Sequence, residues 1–133
     1  MADRTATIDA VMTARPMSVE SDLDLKSAQK IMIERDFRHL PVVENERLVG
    51  VVSDRDILLA QVANHDLSGE VVVGDVCSLD PYIVAPGTAL VEVLETMVNR
   101  HIGSVLIAEE GRLTGIYTAT DACRDLARTI GGE

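Results

Sequence analysis

The sequence predicts a mixed α+β fold (α/β-like) built from two copies of one small unit, and three observations predict it. The chain matches itself when shifted by 65 positions, each half alternates helix-period and β-rich segments, and the core residues on offer are almost all aliphatic. The shift lays Val11 to Asp56 over Val76 to Asp121 without a gap. Pro16 falls on Pro81, Val19 on Val84, Leu25 on Leu90, Met32 on Met97, Arg35 on Arg100, Gly50 on Gly115 and Asp56 on Asp121. Apolar swaps fill positions between them, among them Phe37 with Ile102, Leu40 with Val105 and Val51 with Ile116. A match of this period marks a repeated supersecondary unit.

The elements follow in the same order in each half. In the first, Pro16 opens an extended stretch, and Asp22 or Asp24 caps a helix with Leu25, Ala28, Ile31, Met32 and Ile33 at helical spacing. That helix ends near Asp36. His39 to Glu44 and Leu48 to Ser53 are β-rich runs around the polar turn Asn45-Glu46-Arg47, which predicts an antiparallel hairpin. A helix from Asp54 to about Ala63 follows. In the second half the equivalents are a helix from Thr88 to Arg100, strands Gly103 to Ala108 and Leu113 to Thr118 around Glu109-Glu110-Gly111, and a helix from Ala119 to about Ile130. Gly131-Gly132 ends it.

The organisation expected is repeat one at 5–63, a linker at 64–70 and repeat two at 71–130. The linker is too short to separate independent domains. A repeat of this size sustains a core of its own only marginally, so the two sheets are expected to pack on each other about a pseudo-twofold axis.

Composition narrows the function. Of 133 residues, 47% are hydrophobic and 26% charged, which is globular composition. The 12 basic and 22 acidic residues leave a net charge of −10, so no sequence-wide cationic field exists to hold a nucleic-acid backbone. Phe37, Tyr82 and Tyr117 are the only aromatics, too few for a base-stacking platform. Nucleic acid is not an expected partner.

Cys77 and Cys123 form neither a disulfide framework nor a Cys-x-x-Cys pair, and both are expected as reduced thiols buried on apolar helix faces. No signal-peptide apolar region or membrane-length run occurs, so a cytoplasmic location without membrane insertion is expected. His39, His65 and His101 are scattered and suggest neither a metal site nor a catalytic dyad. Met32 and Met97 are expected in the core.

Both hairpins run into a helix through the same pattern, Gly-apolar-x-[Ser/Thr]-x-x-Asp: Gly50 to Asp56, and Gly115 to Asp121. The hydroxyl stands at a helix N-cap and the Asp one turn in, beside free N–H groups that suit an anion or a polar ligand. The same spacing is a capping box, which needs no ligand. The two readings are compatible.

This motif, its repetition, the opening Val11-Met12-Thr13-x-x-Pro16-x-x-Val19 and the run Arg38-His39-Leu40-Pro41-Val42-Val43 resemble a tandem pair of cystathionine-β-synthase (CBS) domains, over about residues 5 to 128. The resemblance implies two β-α-β-β-α repeats packed sheet to sheet about a pseudo-twofold axis. It also implies two clefts that hold adenosyl compounds, with AMP, ADP, ATP and S-adenosylmethionine as candidates, and a homodimer of disc-like shape.

By that likeness one cleft would take Thr7, Phe37 and Arg38 with Ile116, Thr118, Thr120 and Asp121. The other would take Ile102 and Gly103 with His39, Val51, Ser53, Arg55 and Asp56. Asp56 and Asp121 would hold ribose hydroxyls, the Ile and Val side chains would sandwich adenine, and His39 and Arg55 would face phosphates. Repeat two reads Gly103-Ser104-Val105-Leu106 where repeat one has Arg38-His39-Leu40-Pro41, and Val72 stands where repeat one has Thr7.

Two functions are consistent with this. The chain is a regulatory module that senses an adenosyl ligand and modulates an unidentified partner protein, or a structural dimerisation module with empty clefts. No nucleophile–base pair stands at usable spacing, so an enzyme, or a catalytic cofactor, is not expected.

Overall fold

The computed structural model describes residues 5–64 and 71–132. The elements are α1 (Ile8–Val11), β1 (Thr13–Ala14), β2 (Val19–Glu20), α2 (Leu25–Arg35), β3 (His39–Glu44), β4 (Arg47–Ser53) and α3 (Asp54–Asn64). After these come α4 (Val73–Val76), β5 (Ile83–Val84), α5 (Leu90–Arg100), β6 (Ser104–Glu109), β7 (Arg112–Thr118) and α6 (Ala119–Ile130). The expected linker at 64–70 falls, from 65 on, outside the described residues.

Two compact units form, and their boundaries are not those of the sequence repeats. One is continuous, Met17–Pro81; the other is composite, joining the segment up to Pro16 to the chain from Tyr82 onward. Each repeat thus receives its opening segment from the other half of the sequence. In the continuous unit the amide of Val73 donates to the Leu23 carbonyl and that of Gly74 to the Ser21 carbonyl. Val51 and Ser78 exchange both backbone bonds, at 3.2 and 2.8 Å. In the composite unit the Ile8 amide donates to the Thr88 carbonyl, the Leu90 amide to the Ala6 carbonyl, and β1 pairs antiparallel with β7.

The continuous unit carries the sheet β2-β3-β4, with β2 parallel to β3 and β3 antiparallel to β4. Leu25, Ala28 and Met32 of α2 and Ile57 and Ala60 of α3 cover one face, packing on Val19, Leu40, Val42, Val52 and Val73. The composite unit carries β1-β7-β6-β5, with Val93 and Met97 of α5 packed with Ile8, Val105, Ile107 and Tyr117. Met32 and Met97 are core residues in both, as helical spacing required.

Local details repeat as well. The hairpin register slips once in each, between Val42 and Val43 and between Ile107 and Ala108. Asp24, of the two candidates, is the N-cap of α2, accepting from the Ser27 amide at 3.0 Å. Asp36 and His101 end α2 and α5 in the left-handed region, at φ 56° and 54°.

Cys77 is half-buried against the core of its unit. Cys123 departs from its expected burial: it is exposed on α6, none of whose residues is buried. Helical period puts Cys123 on the stripe with Ala119, Ala122, Leu126 and Ile130, but nothing among the described residues covers that stripe where Cys123, Leu126 and Ile130 lie. Tyr117 ties α6 to β7 instead, donating its hydroxyl to Asp125 Oδ2 at 2.7 Å. Among the described residues no helix is long and apolar enough to cross a membrane.

Candidate functional site

The two copies of the Gly-apolar-x-[Ser/Thr]-x-x-Asp motif are built alike. In the continuous unit the Asp56 amide donates to Ser53 Oγ at 3.0 Å, and the Ser53 amide donates to Asp56 Oδ2 at 2.9 Å. In the composite unit the Asp121 amide donates to Thr118 Oγ1 at 3.1 Å, and the Thr118 amide to Asp121 Oδ2 at 3.0 Å. Both are reciprocal capping boxes, so the bland reading of the motif is realised at each helix start. Each box uses one oxygen of its carboxylate.

The second oxygens differ. Asp121 Oδ1 accepts from Arg124 Nη1 at 3.0 Å, whereas Asp56 Oδ1 has no hydrogen-bond partner among the described residues. The repeat-equivalent of Arg124 is Leu59, which has nothing to donate.

Strand pairing sets what stands beside each helix start. His39 lies opposite Ser53, and the Asp54 amide donates to the Arg38 carbonyl at 3.0 Å. Phe37, Arg38, His39, Val51, Ser53, Arg55 and Asp56 therefore belong to one end of the continuous unit's hairpin. In the composite unit Ser104 lies opposite Thr118, and the Ala119 amide donates to the Gly103 carbonyl at 2.9 Å. That gathers Ile102, Gly103, Ile116, Thr118, Thr120 and Asp121 in the same way.

Thr7 also belongs to the composite unit, as N-cap of α1, and its hydroxyl bonds the Asp9 carboxylate. The Gly87 amide, which donates to Asp9 Oδ1 at 2.7 Å, is the main cause holding that carboxyl below its ordinary pKa. Val72 is the matching N-cap of α4. Each cleft expected from the sequence draws on both units. Within a unit, a backbone bond ties Arg38 to the Asp56 helix and Gly103 to the Asp121 helix, while the Phe37 and Ile102 amides donate to the carbonyls of Met32 in α2 and Met97 in α5.

Val51 and Ile116 are each 9% exposed yet belong to neither helix-backed core. Strand alternation turns them to the opposite face from Val52 and Tyr117.

A hollow of about 380 Å³ opens in the continuous unit between α2 and α3. Phe37 and Arg38 border it, with Gln29, Met32, Ile33, Asp36, Asp54 and Ile57. That volume is within the range of small-molecule pockets. Sequence reasoning missed Asp36 and Asp54 as its polar rim. The helix end that the sequence places near Asp36 was the available signal, and the structure puts a left-handed cap there.

Burial is the main cause of the pKa shifts at His39, Cys77 and Tyr117. Burial holds His39 below its ordinary pKa, opposed by the carboxylates of Asp54 and Asp56, while Arg38 adds to the depression. Burial pushes the Cys77 thiol up, which keeps it protonated and unreactive at neutral pH. Burial, then the bond to Asp125, push the Tyr117 hydroxyl up. Among the described residues no group of His, Cys, Asp and Glu is arranged to hold a metal ion.

Known proteins bear on these observations. A structure of a Vibrio cholerae protein described as an acetoin utilization protein (AcuB) superposes with a TM-score of 0.86 at 30% identity, covering 96% of this chain and 94% of that one. The structure of CBSX2 in complex with AMP superposes with a TM-score of 0.79 at 26% identity, covering 92% and 97%. The inosine-5′-monophosphate dehydrogenase of Korarchaeum cryptofilum is 29% identical over 106 residues, which are 79% of this chain and 21% of that enzyme. The chain thus spans about a fifth of the length of that relative. The family model of the CBS domain matches twice, at residues 8–63 and 73–128. With both repeats matched over most of its length, the chain belongs to the CBS domain family.

Proposed function

We propose that the chain is a regulatory module that binds an adenosyl ligand, of the class of AMP, ADP, ATP and S-adenosylmethionine, and that occupancy changes its contact with a partner protein. The observation that carries this reading is the helix start built twice with Asp56 and Asp121 at the same position, beside a strand that turns Val51 or Ile116 away from the helices. The AMP bound by CBSX2, a relative of the same fold, supports the ligand class.

The proposed binding residues are Thr7, Phe37, Arg38, His39, Val51, Ser53, Arg55, Asp56, Ile102, Gly103, Ile116, Thr118, Thr120 and Asp121, with Asp56 and Asp121 accepting from ribose hydroxyls and the Val and Ile side chains packing on adenine. The module itself is non-catalytic and uses no catalytic cofactor.

Calorimetry and thermal unfolding with AMP, ADP, ATP and S-adenosylmethionine test it. A ligand at about 100 times its Kd adds about 2.7 kcal/mol of stability. No heat and no thermal shift at millimolar ligand overturns the ligand reading.

A structural self-association module is the second reading, favoured by apolar side chains left exposed on the helices: Ile33, Leu58, Leu59 and Val62 in one unit, Val91, Val98, Leu126 and Ile130 in the other. Surfaces of this kind seek partners, and a homodimer is the simplest closed solution. Sedimentation at micromolar concentration is expected to give twice the monomer mass under either reading. A monomer overturns the dimer.

A further inference from the structure

We infer that the hollow between α2 and α3 is a ligand site in its own right, distinct from the site at Asp56, and that it takes a free α-amino acid with an aliphatic side chain. The inference needs no adenosyl ligand.

The hollow lies on the helix-covered side of the sheet. Its deepest residues, Met32 of α2 and Ile57 of α3, belong to the buried core with Val52, whereas strand alternation turns Val51 to the opposite face. Ile33 and Phe37 stand exposed at its walls. An aliphatic group that enters leaves water for an apolar surface.

The rim carries charge of both signs. Asp36, the left-handed cap of α2, and Asp54, at the start of α3, bring two carboxylates, and Arg38 brings a guanidinium. All three are exposed, and among the described residues none is in an ion pair, with each other or with any other group. Asp54 Oδ1 accepts from the Arg55 amide at 2.8 Å, which leaves Oδ2 for a ligand.

Charges that share one rim without pairing leave their complements to be supplied from outside. Two carboxylates suit an ammonium, and a planar guanidinium suits a carboxylate. An α-amino acid carries both groups on one carbon, with its side chain directed away from them toward the apolar floor. A fatty acid or a phosphate meets two carboxylates there, and a simple amine leaves Arg38 without a partner.

The repeat relation makes the site single. Asp36, Arg38 and Asp54 correspond to His101, Gly103 and Ala119, so the other unit has neither carboxylates nor a guanidinium at these positions. One ligand per chain is expected.

Calorimetry and methyl-resolved NMR on the full chain with L-leucine test this. The comparison probes are 4-methylpentanoate, which lacks the ammonium, and 3-methylbutylamine, which lacks the carboxylate. Leucine at millimolar concentration is expected to fill one site per chain and to shift the Ile33 and Ile57 methyl resonances while that of Ile116 stays in place. It is expected to bind about tenfold or more tightly than either probe. Asp36→Asn keeps a residue that tolerates the left-handed cap, and is expected to weaken leucine about tenfold with an unchanged urea midpoint. No heat and no methyl shift with leucine, either probe binding as tightly as leucine, or full affinity in Asp36→Asn overturns the site.

Discussion

Asp56 accepts from the Ser53 amide through Oδ2 and keeps Oδ1 open, so one substitution separates two effects. Asp56→Ala removes half of a capping box, which is expected to cost about 1 kcal/mol of stability. Losing a charge-assisted bond to a ribose hydroxyl is expected to weaken nucleotide by about 1.5–3 kcal/mol, or roughly 10- to 150-fold in Kd. Urea unfolding reads the first and calorimetry on the folded protein the second. Unchanged affinity with lowered stability reduces Asp56 to a cap.

His39 gives a pH prediction of definite sign. Burial keeps its folded pKa below 6.5, so in the window from about 6.5 downward the unfolded chain binds a proton that the folded chain refuses. Stability is therefore unaffected by His39 above that window and falls as pH drops through it. Urea midpoints between pH 8 and 5 are expected to show this slope, and His39→Gln to flatten it; an equal slope in the variant overturns the assignment.

At this scale the sequence showed Ser53, Asp56, Thr118 and Asp121, because spacing alone places a cap and its partner one turn apart. It did not show the Arg124 bond to Asp121, since Arg124 lies outside the repeated motif and faces a leucine in the other repeat.

The hairpins and long helices were legible because each carries a period that only one structure satisfies. Their ends fall within two residues of the expected positions. α1 and α4 were not legible: four residues make one turn, too short for a period, and neither Thr7 nor Val72 caps with its side chain. The stripe on α6 teaches the complementary limit. Periodicity tells which residues share a face and is silent on whether anything covers it, which is why Cys123 was placed in the core and stands exposed.

Gly50 and Gly115 occupy equivalent strand positions but face different neighbours. A Cβ at Gly50 would meet the backbone carbonyl of Ser78, with Cys77 Sγ at 2.9 Å, and at Gly115 the flexible side chain of Met12. A methionine yields by changing rotamer, whereas the Ser78 carbonyl is held by its bond from the Val51 amide. Gly50→Ala is expected to cost about 1–3 kcal/mol, and Gly115→Ala distinctly less. Thermal unfolding of the two variants checks the order, and equal losses overturn it.

Across the whole molecule, the self-match at 65 positions established that two units exist, but an offset says nothing of which segments pack together. The exchange of opening segments is invisible in it, because Ile8 and Val73 occupy matching positions whichever half they serve. Only packing decides, and it puts Ile8 in the core with Val93, Met97, Val105, Ile107 and Tyr117.

Ile8 is fully buried there, and backbone bonds from Ile8 to Thr88 and from Leu90 to Ala6 hold its segment against the start of α5. Ile8→Ala is expected to destabilise the protein by about 2–5 kcal/mol, the cost of a cavity in a packed interior. The location of the loss is the sharper expectation. Hydrogen exchange in the variant should show protection falling first in α5, β6 and β7, far along the sequence, while α2, β3 and β4 keep theirs until global unfolding. Early loss confined to α2, β3 and β4 would return the opening segment to the repeat that follows it and overturn the composite unit.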